Sequence, residues 1–123
     1  MSVEANKALI HAWLAARNAH DIEAGVALWA EDRQTWLRAA FNRFSLGFPD
    51  LQVLVKEMIG EGDKVVVWWV LQGTHRGVFR DIPATGKTVA WEICDLYTIA
   101  DGKIASLVRR TDYLNLHQQL GVA

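Results

Sequence analysis

Apolar residues recur three and four apart in the first part of the chain and two apart in the rest, so the pattern predicts helices followed by strands. Ala5, Leu9, Ala12, Trp13 and Ala16 keep helical spacing behind Ser2, a plausible N-cap, which gives a first helix over residues 3–18. Asn18-Ala19-His20-Asp21 interrupts it, and Asp21 can cap the next helix. Ile22, Val26, Trp29, Trp36, Leu37, Ala40, Phe41 and Phe44 then stay on one helical face, with no proline or glycine between Val26 and Leu46. The expectation is one long helix over 22–46, spanning roughly 35 Å. The competing reading is two helices broken near Ala30-Glu31-Asp32, with Asp32 capping the second.

Gly47-Phe48-Pro49-Asp50 closes the helical half. Strands are expected over 51–59, 64–75, 88–99 and 104–113. Tight turns at Gly60-Glu61-Gly62-Asp63 and Ala100-Asp101-Gly102-Lys103 join the first pair and the last. Residues 77–87 hold Pro83 and Gly86 and read as a loop or irregular edge, and a short helix over 114–120 closes the chain. Helices followed by hairpins predict a single α+β domain over 1–123, its helices packed on one side of a curved antiparallel sheet.

Alternation sorts the strand side chains into faces. Val89, Trp91, Ile93, Asp95, Tyr97 and Ile99 share one face of the third strand, with Cys94 opposite. Ile104, Ser106, Val108, Arg110 and Asp112 share one face of the fourth. If the faces bearing Asp95 and Asp112 are both concave, two carboxylates meet in an aromatic-lined cleft. There, desolvation and repulsion raise a carboxyl pKa into the range useful for proton transfer at a carbon acid. Asp112 is the leading catalytic candidate, though a strand-end aspartate two residues before Leu114 equally suits a helix cap. The second strand is apolar on both faces. Trp68 and Val70 therefore suit either a dimer interface or cover by the C-terminal segment.

Composition narrows the partners. Thirteen basic residues against fourteen acidic ones, a net charge of -1, give no electrostatic ground for nucleic acid or an anionic membrane. The one cysteine, Cys94, has no internal bridging partner and suits a reducing compartment. No leader-like segment opens the chain and no apolar run approaches the roughly 20 residues of a membrane helix, so the cytoplasm is the expected location. The six tryptophans are spread along the whole chain and suit a core, a flat-ligand pocket or an interface. The four histidines lack metal-ligand spacing. Of these, His75 shares a face with Trp69 and can support a ligand carbonyl. One member of Arg109-Arg110 can pair with a pocket carboxylate or a ligand's acidic group.

Phe48-Pro49-Asp50-Leu51, Gly73-Thr74-His75-Arg76-Gly77, Pro83-Ala84-Thr85-Gly86-Lys87, Asp101-Gly102-Lys103-Ile104, and Asp112 ahead of Gln118-Gln119-Leu120-Gly121 carry a family resemblance. In order and spacing they resemble the SnoaL-like polyketide cyclases of the cone-shaped, NTF2-like superfamily. The resemblance implies a sheet curled around a hydrophobic pocket, often in dimers. In cyclase members it implies an intramolecular aldol closure of a polyketide ester without metal or cofactor. The aspartate in the place of Asp112 then acts as general acid/base. Three departures stand out. Relatives usually carry a strand and loop between the second and third helices, whereas here Trp29-Ala30-Glu31-Asp32 runs almost directly into Gln34-Thr35-Trp36-Leu37. Val108 stands where many relatives have tryptophan, and Trp68 where they often have arginine.

The leading expectation is a cofactor-free cyclase or isomerase acting on a small, flat, apolar carbonyl compound. Asp112 serves as acid/base, Asp95 and His75 as supporting polar groups, and Trp69, Trp91, Tyr97 and Val108 as pocket walls. The alternatives are a non-catalytic homodimer of the same fold that binds a small hydrophobic ligand, and a module that docks a protein partner.

Overall fold

The Ser2 hydroxyl accepts the Ala5 N–H at 3.0 Å and starts α1 (Val3–Asn18) in the computed structural model, which describes residues 2–122. Helix α1 buries Asn6, Ile10, Trp13, Leu14 and Arg17. This stripe is turned partly away from the expected one, since Ala5 and Ala12 face solvent. Two alanines are weak anchors beside Ile10 and Leu14, which have far more apolar surface to remove from water.

The single long helix over 22–46 does not form. Helix α2 (Ile22–Val26) is capped by Asp21, whose carboxylate accepts the Ala24 N–H at 3.1 Å. The chain then leaves the helix to lay Trp29 beside Ile104 in a parallel bridge. Ala30 N–H donates to the Ile104 carbonyl and Ile104 N–H to the Leu28 carbonyl, both at 2.9 Å. One 3₁₀ turn (Glu31–Arg33) leads into α3 (Gln34–Gly47), which starts without a side-chain cap, so Asp32 does not cap it. Packing decides the break. Trp29 is buried edge-on against Trp13, with ring centroids 5.4 Å apart, and against Tyr97 at 6.1 Å. Trp36, which a continuous helix would align with it, stays half exposed.

The sheet is a meander, β1 (Gln52–Glu61), β2 (Lys64–Thr74), β3 (Thr88–Ala100) and β4 (Lys103–Thr111), antiparallel throughout in the order β1-β2-β3-β4. Its inner face presents Val65, Val67, Trp69 and Leu71 from β2 and Val89, Trp91, Ile93, Asp95, Tyr97 and Ile99 from β3, all buried under the helices. Helix α4 (Tyr113–Leu120) packs beside the end of β3 that extends past β4. There the Gln119 amide accepts the Ala90 N–H at 3.0 Å and donates to the Ala90 carbonyl at 2.7 Å, substituting for a missing strand partner. The C-terminal segment thus covers the β3 edge and leaves Trp68 exposed on the outer face.

Candidate functional site

One extra residue in β4 determines which side chains enter the cone. Ile99 pairs with Ile104, but Thr98 pairs with Ser106, so Ala105 is a bulge and the alternation shifts by one. Beyond it Leu107, Arg109 and Thr111 lie across from Tyr97, Asp95 and Ile93 on the inner face. Val108, Arg110 and Asp112 turn outward, which corrects the expected shared face of Asp95 and Asp112.

The result is a buried polar cluster. Arg109 donates to Asp95 through two nitrogens, at 2.7 and 2.9 Å. Trp69 Nε1–H donates to the same carboxylate at 3.0 Å, and the Tyr97 hydroxyl donates to it at 2.8 Å. Asp95 is fully buried and accepts four hydrogen bonds, three at Oδ2 and one at Oδ1, which tie β2, β3 and β4 together in the interior. Burial and the adjacent Asp95 charge raise the Tyr97 hydroxyl above the usual phenol range, so it remains a donor. Burial pulls the Arg109 guanidinium down, but its hydrogen bonds to Asp95 and that charge outweigh the effect and hold it above its ordinary value.

A second cation lies beside this pair. Arg17 is 4% exposed, and its guanidinium sits over the rings of Phe44 at 5.0 Å and of Trp13, Phe41 and Trp69, each at 5.6 Å. Among the described residues no ion pair or side-chain hydrogen bond reaches it, and its Nε is buried without a partner. Lost hydration, then repulsion from Arg109, push it down to about 10, with Tyr97 and Asp95 opposing, so it is charged at neutral pH. Stacking on each ring contributes about 0.5–2 kcal/mol, which offsets only part of the cost of a buried, unpaired charge.

Above this cluster a cleft of about 420 Å³ opens between α3 and residues 78–82. Phe44, Leu46, Val78, Phe79 and Tyr113 form its apolar walls, and Arg43, Arg80 and Asp81 its charged rim. Arg80 and Asp81 have positive φ, 49° and 63°, and the Arg80 guanidinium stacks 3.6 Å from the Tyr113 ring centroid. Phe79 anchors this segment against Phe44 at 5.3 Å and Phe48 at 5.1 Å. It can do so because Gly47 has no side chain, for a Cβ there would lie 2.8 Å from that of Phe79. Arg109 stands just behind two walls, with its guanidinium 5.9 Å from the Phe44 ring centroid and its charge within reach of Tyr113. Its side chain is 22% exposed, the one cation of the buried cluster in partial contact with solvent.

The residues expected to form the site are dispersed. Trp69, Trp91 and Tyr97 are inner-face residues but pack closed, at most 1% exposed, and wall no open pocket. Val108 is exposed on the outer face. His75 is buried against Phe48; its Nδ1 accepts the Thr85 N–H at 3.2 Å, which fixes the proton on Nε2, itself buried without a partner. Asp112 is exposed, caps α4 by accepting the Asn115 N–H at 3.0 Å, and borders an outer groove with Trp68, Glu92, Cys94 and Arg110. Capping predicts that Asp112→Asn leaves the urea midpoint nearly unchanged while Asp112→Ala lowers stability by about 1 kcal/mol. Equal losses in both variants would show that the charge, not the cap, matters. Arg17, Phe44, Arg80 and Tyr113 were not singled out from the sequence. Arg17 was detectable, because it lies four residues after Trp13 on the same helical face. Among the described residues no cluster of three or more His, Cys, Asp or Glu is placed to hold a metal, and no helix is long and apolar enough to cross a membrane.

A family model described as SnoaL-like polyketide cyclase matches residues 7–120. No curated protein matches the chain. Among solved structures, TsrD from Streptomyces laurentii is similar at 26% identity and a TM-score of 0.93, over 100% of this chain and 99% of that one. AclR from Streptomyces galilaeus, a candidate hydroxylase, is similar at 26% identity and a TM-score of 0.89, over 98% and 83%. IdmH from Streptomyces antibioticus, a candidate polyketide cyclase, is similar at 25% identity and a TM-score of 0.83, over 95% and 99%. The coverage of TsrD means that the short connection between α2 and α3 does not set this chain apart from every such fold.

Proposed function

The chain belongs to the SnoaL-like polyketide cyclase family, and from that membership we propose that it is a small-molecule-binding cone of the cyclase type. Its ligand is a flat carbonyl compound whose apolar body is held in the cleft between α3 and residues 78–82. The supporting observation is the cleft itself, within the roughly 300–1,000 Å³ usual for small-molecule sites, apolar in its walls and polar at its rim.

In this reading neither aspartate transfers a proton in the cleft. Asp95 is held by four hydrogen bonds, and the Asp112 carboxylate is engaged at the α4 cap. The rival reading, acid/base catalysis by Asp112, rests on the likeness of Asp112 and Gln118-Gln119-Leu120-Gly121 to the family's last motif. An exchange experiment separates the two. With 1-acetonaphthone in deuterium oxide, the protein is expected to bind the ketone while deuterium enters its methyl group no faster than in buffer alone. Faster exchange that disappears in Asp112→Asn would establish the catalytic reading.

The outer sheet face supports a second proposal, that two copies pair through it. Leu54, Ile59, Val66, Trp68, Leu96 and Val108 are exposed there on four adjacent strands, a larger apolar patch than isolated surface residues produce. Light scattering is expected to give a dimer, and Leu96→Lys a monomer with its inner core unchanged. A monomeric parent protein would refute the pairing.

A further inference from the structure

The charges beneath the cleft do not balance. Arg17 and Arg109 face a single buried carboxylate, Asp95, and that carboxylate is bonded to Arg109 alone of the two. The rim adds Arg43 and Arg80 against Asp81. The excess is positive from the rim inward, and the innermost cation has an unpartnered Nε–H in a ring of aromatic faces. An apolar ligand would seal this cluster further from water and leave the excess uncompensated. A ligand with its own negative charge would compensate it.

We propose that the cleft ligand is an anion, a flat aryl carboxylate or an equivalent oxyanion, with its charged end directed past Phe44 toward Arg109 and Arg17. This rests on the cleft as the binding site and adds the charge of what it binds. Of the two buried cations behind the rim, Arg109 is the more accessible, with its side chain 22% exposed. Its fork is already occupied by Asp95, so it contributes charge rather than a free bidentate contact. Arg17 supplies the uncommitted donors. Phe44 separates the two from the cleft, its ring lying 5.0 Å from the Arg17 guanidinium and 5.9 Å from that of Arg109, so this ring has to turn aside when the anion binds. Arg17 is thereby assigned as a specificity residue for an anion, in addition to filling the core.

The test compares two probes of one shape, 1-naphthoate and 1-naphthamide, by calorimetry on the full chain. Naphthoate is expected to bind at least tenfold tighter, and to shift the Arg17 Nε–H resonance in a nitrogen-15 spectrum where naphthamide leaves it in place. In Arg17→Met, which removes an unpaired buried charge, the protein should fold with an unchanged or higher melting temperature. The naphthoate advantage should fall to about threefold or less. Should that variant not fold, the wild-type resonance still decides. Equal affinity for the two probes, or an unmoved Arg17 signal, overturns the anion proposal and leaves the cleft reading standing. Binding of neither probe overturns both.

Discussion

Asp95→Ala is expected to destabilise the fold by about 3–5 kcal/mol, measured by urea unfolding, because it breaks a buried pair by removing one partner. The loss goes beyond one salt bridge. Asp95 accepts from Arg109, Trp69 and Tyr97, so its removal leaves three donors from three places in the sheet unsatisfied. It also leaves Arg109 and Arg17 as neighbouring cations without a counter-charge, both close to the Trp69 ring. Asp95→Leu combined with Arg109→Met should recover the part of the loss owed to the broken ion pair, since an apolar pair often replaces one at little cost, while the Trp69 and Tyr97 donors stay unsatisfied. If Asp95→Ala alone lost under about 1 kcal/mol, the pair would be too solvated to organise the interior.

Trp29→Ala is the second large effect, expected at about 3–5 kcal/mol by the same measurement. Trp29 is 1% exposed and plugs the cone where the chain passes from α2 to α3, packed against Trp13 and Tyr97. Removing the ring takes away the reason for the chain to leave the helix there. Exchange protection at the Ala30 and Ile104 amides, the two donors of the parallel bridge, should fall with it. Trp29→Phe should cost far less, because the Trp29 Nε1–H has no partner to lose among the described residues. Full protection of both amides in Trp29→Ala would mean that the bridge, not the ring, sets the break.

The same residues explain why the sequence pointed to the fold more reliably than to the site. Two-residue alternation in β3 is unbroken, so Val89, Trp91, Ile93, Asp95, Tyr97 and Ile99 share one face as expected, and Val65, Val67, Trp69 and Leu71 of β2 join them on the inner side. In β4 the alternation carries a slip of one at Ala105. That slip turns Arg109 inward and Asp112 outward. A signal for it was present, because Ile104 and Leu107 are apolar three apart, a spacing that a regular strand cannot place on one face. The helix break left a fainter mark: the competing reading of two helices broken near Ala30-Glu31-Asp32 has its place right, though Asp32 is not the cap. Residues 27–35 contain neither glycine nor proline, and only the burial of Trp29 against distant residues makes the break favourable. The family motifs identified the cone correctly, yet they directed attention to Asp112, whose carboxylate caps a helix here.

Where a carbonyl ligand binds separates these possibilities most directly. With isotopically labelled protein titrated with 1-acetonaphthone, side-chain perturbations at Phe44, Phe79 and Tyr113 and at Arg109 are expected, with Trp68, Cys94 and Asp112 unmoved. Perturbations centred on Trp68, Cys94 and Asp112 would place the ligand in the outer groove and contradict the cleft between α3 and residues 78–82 as the site.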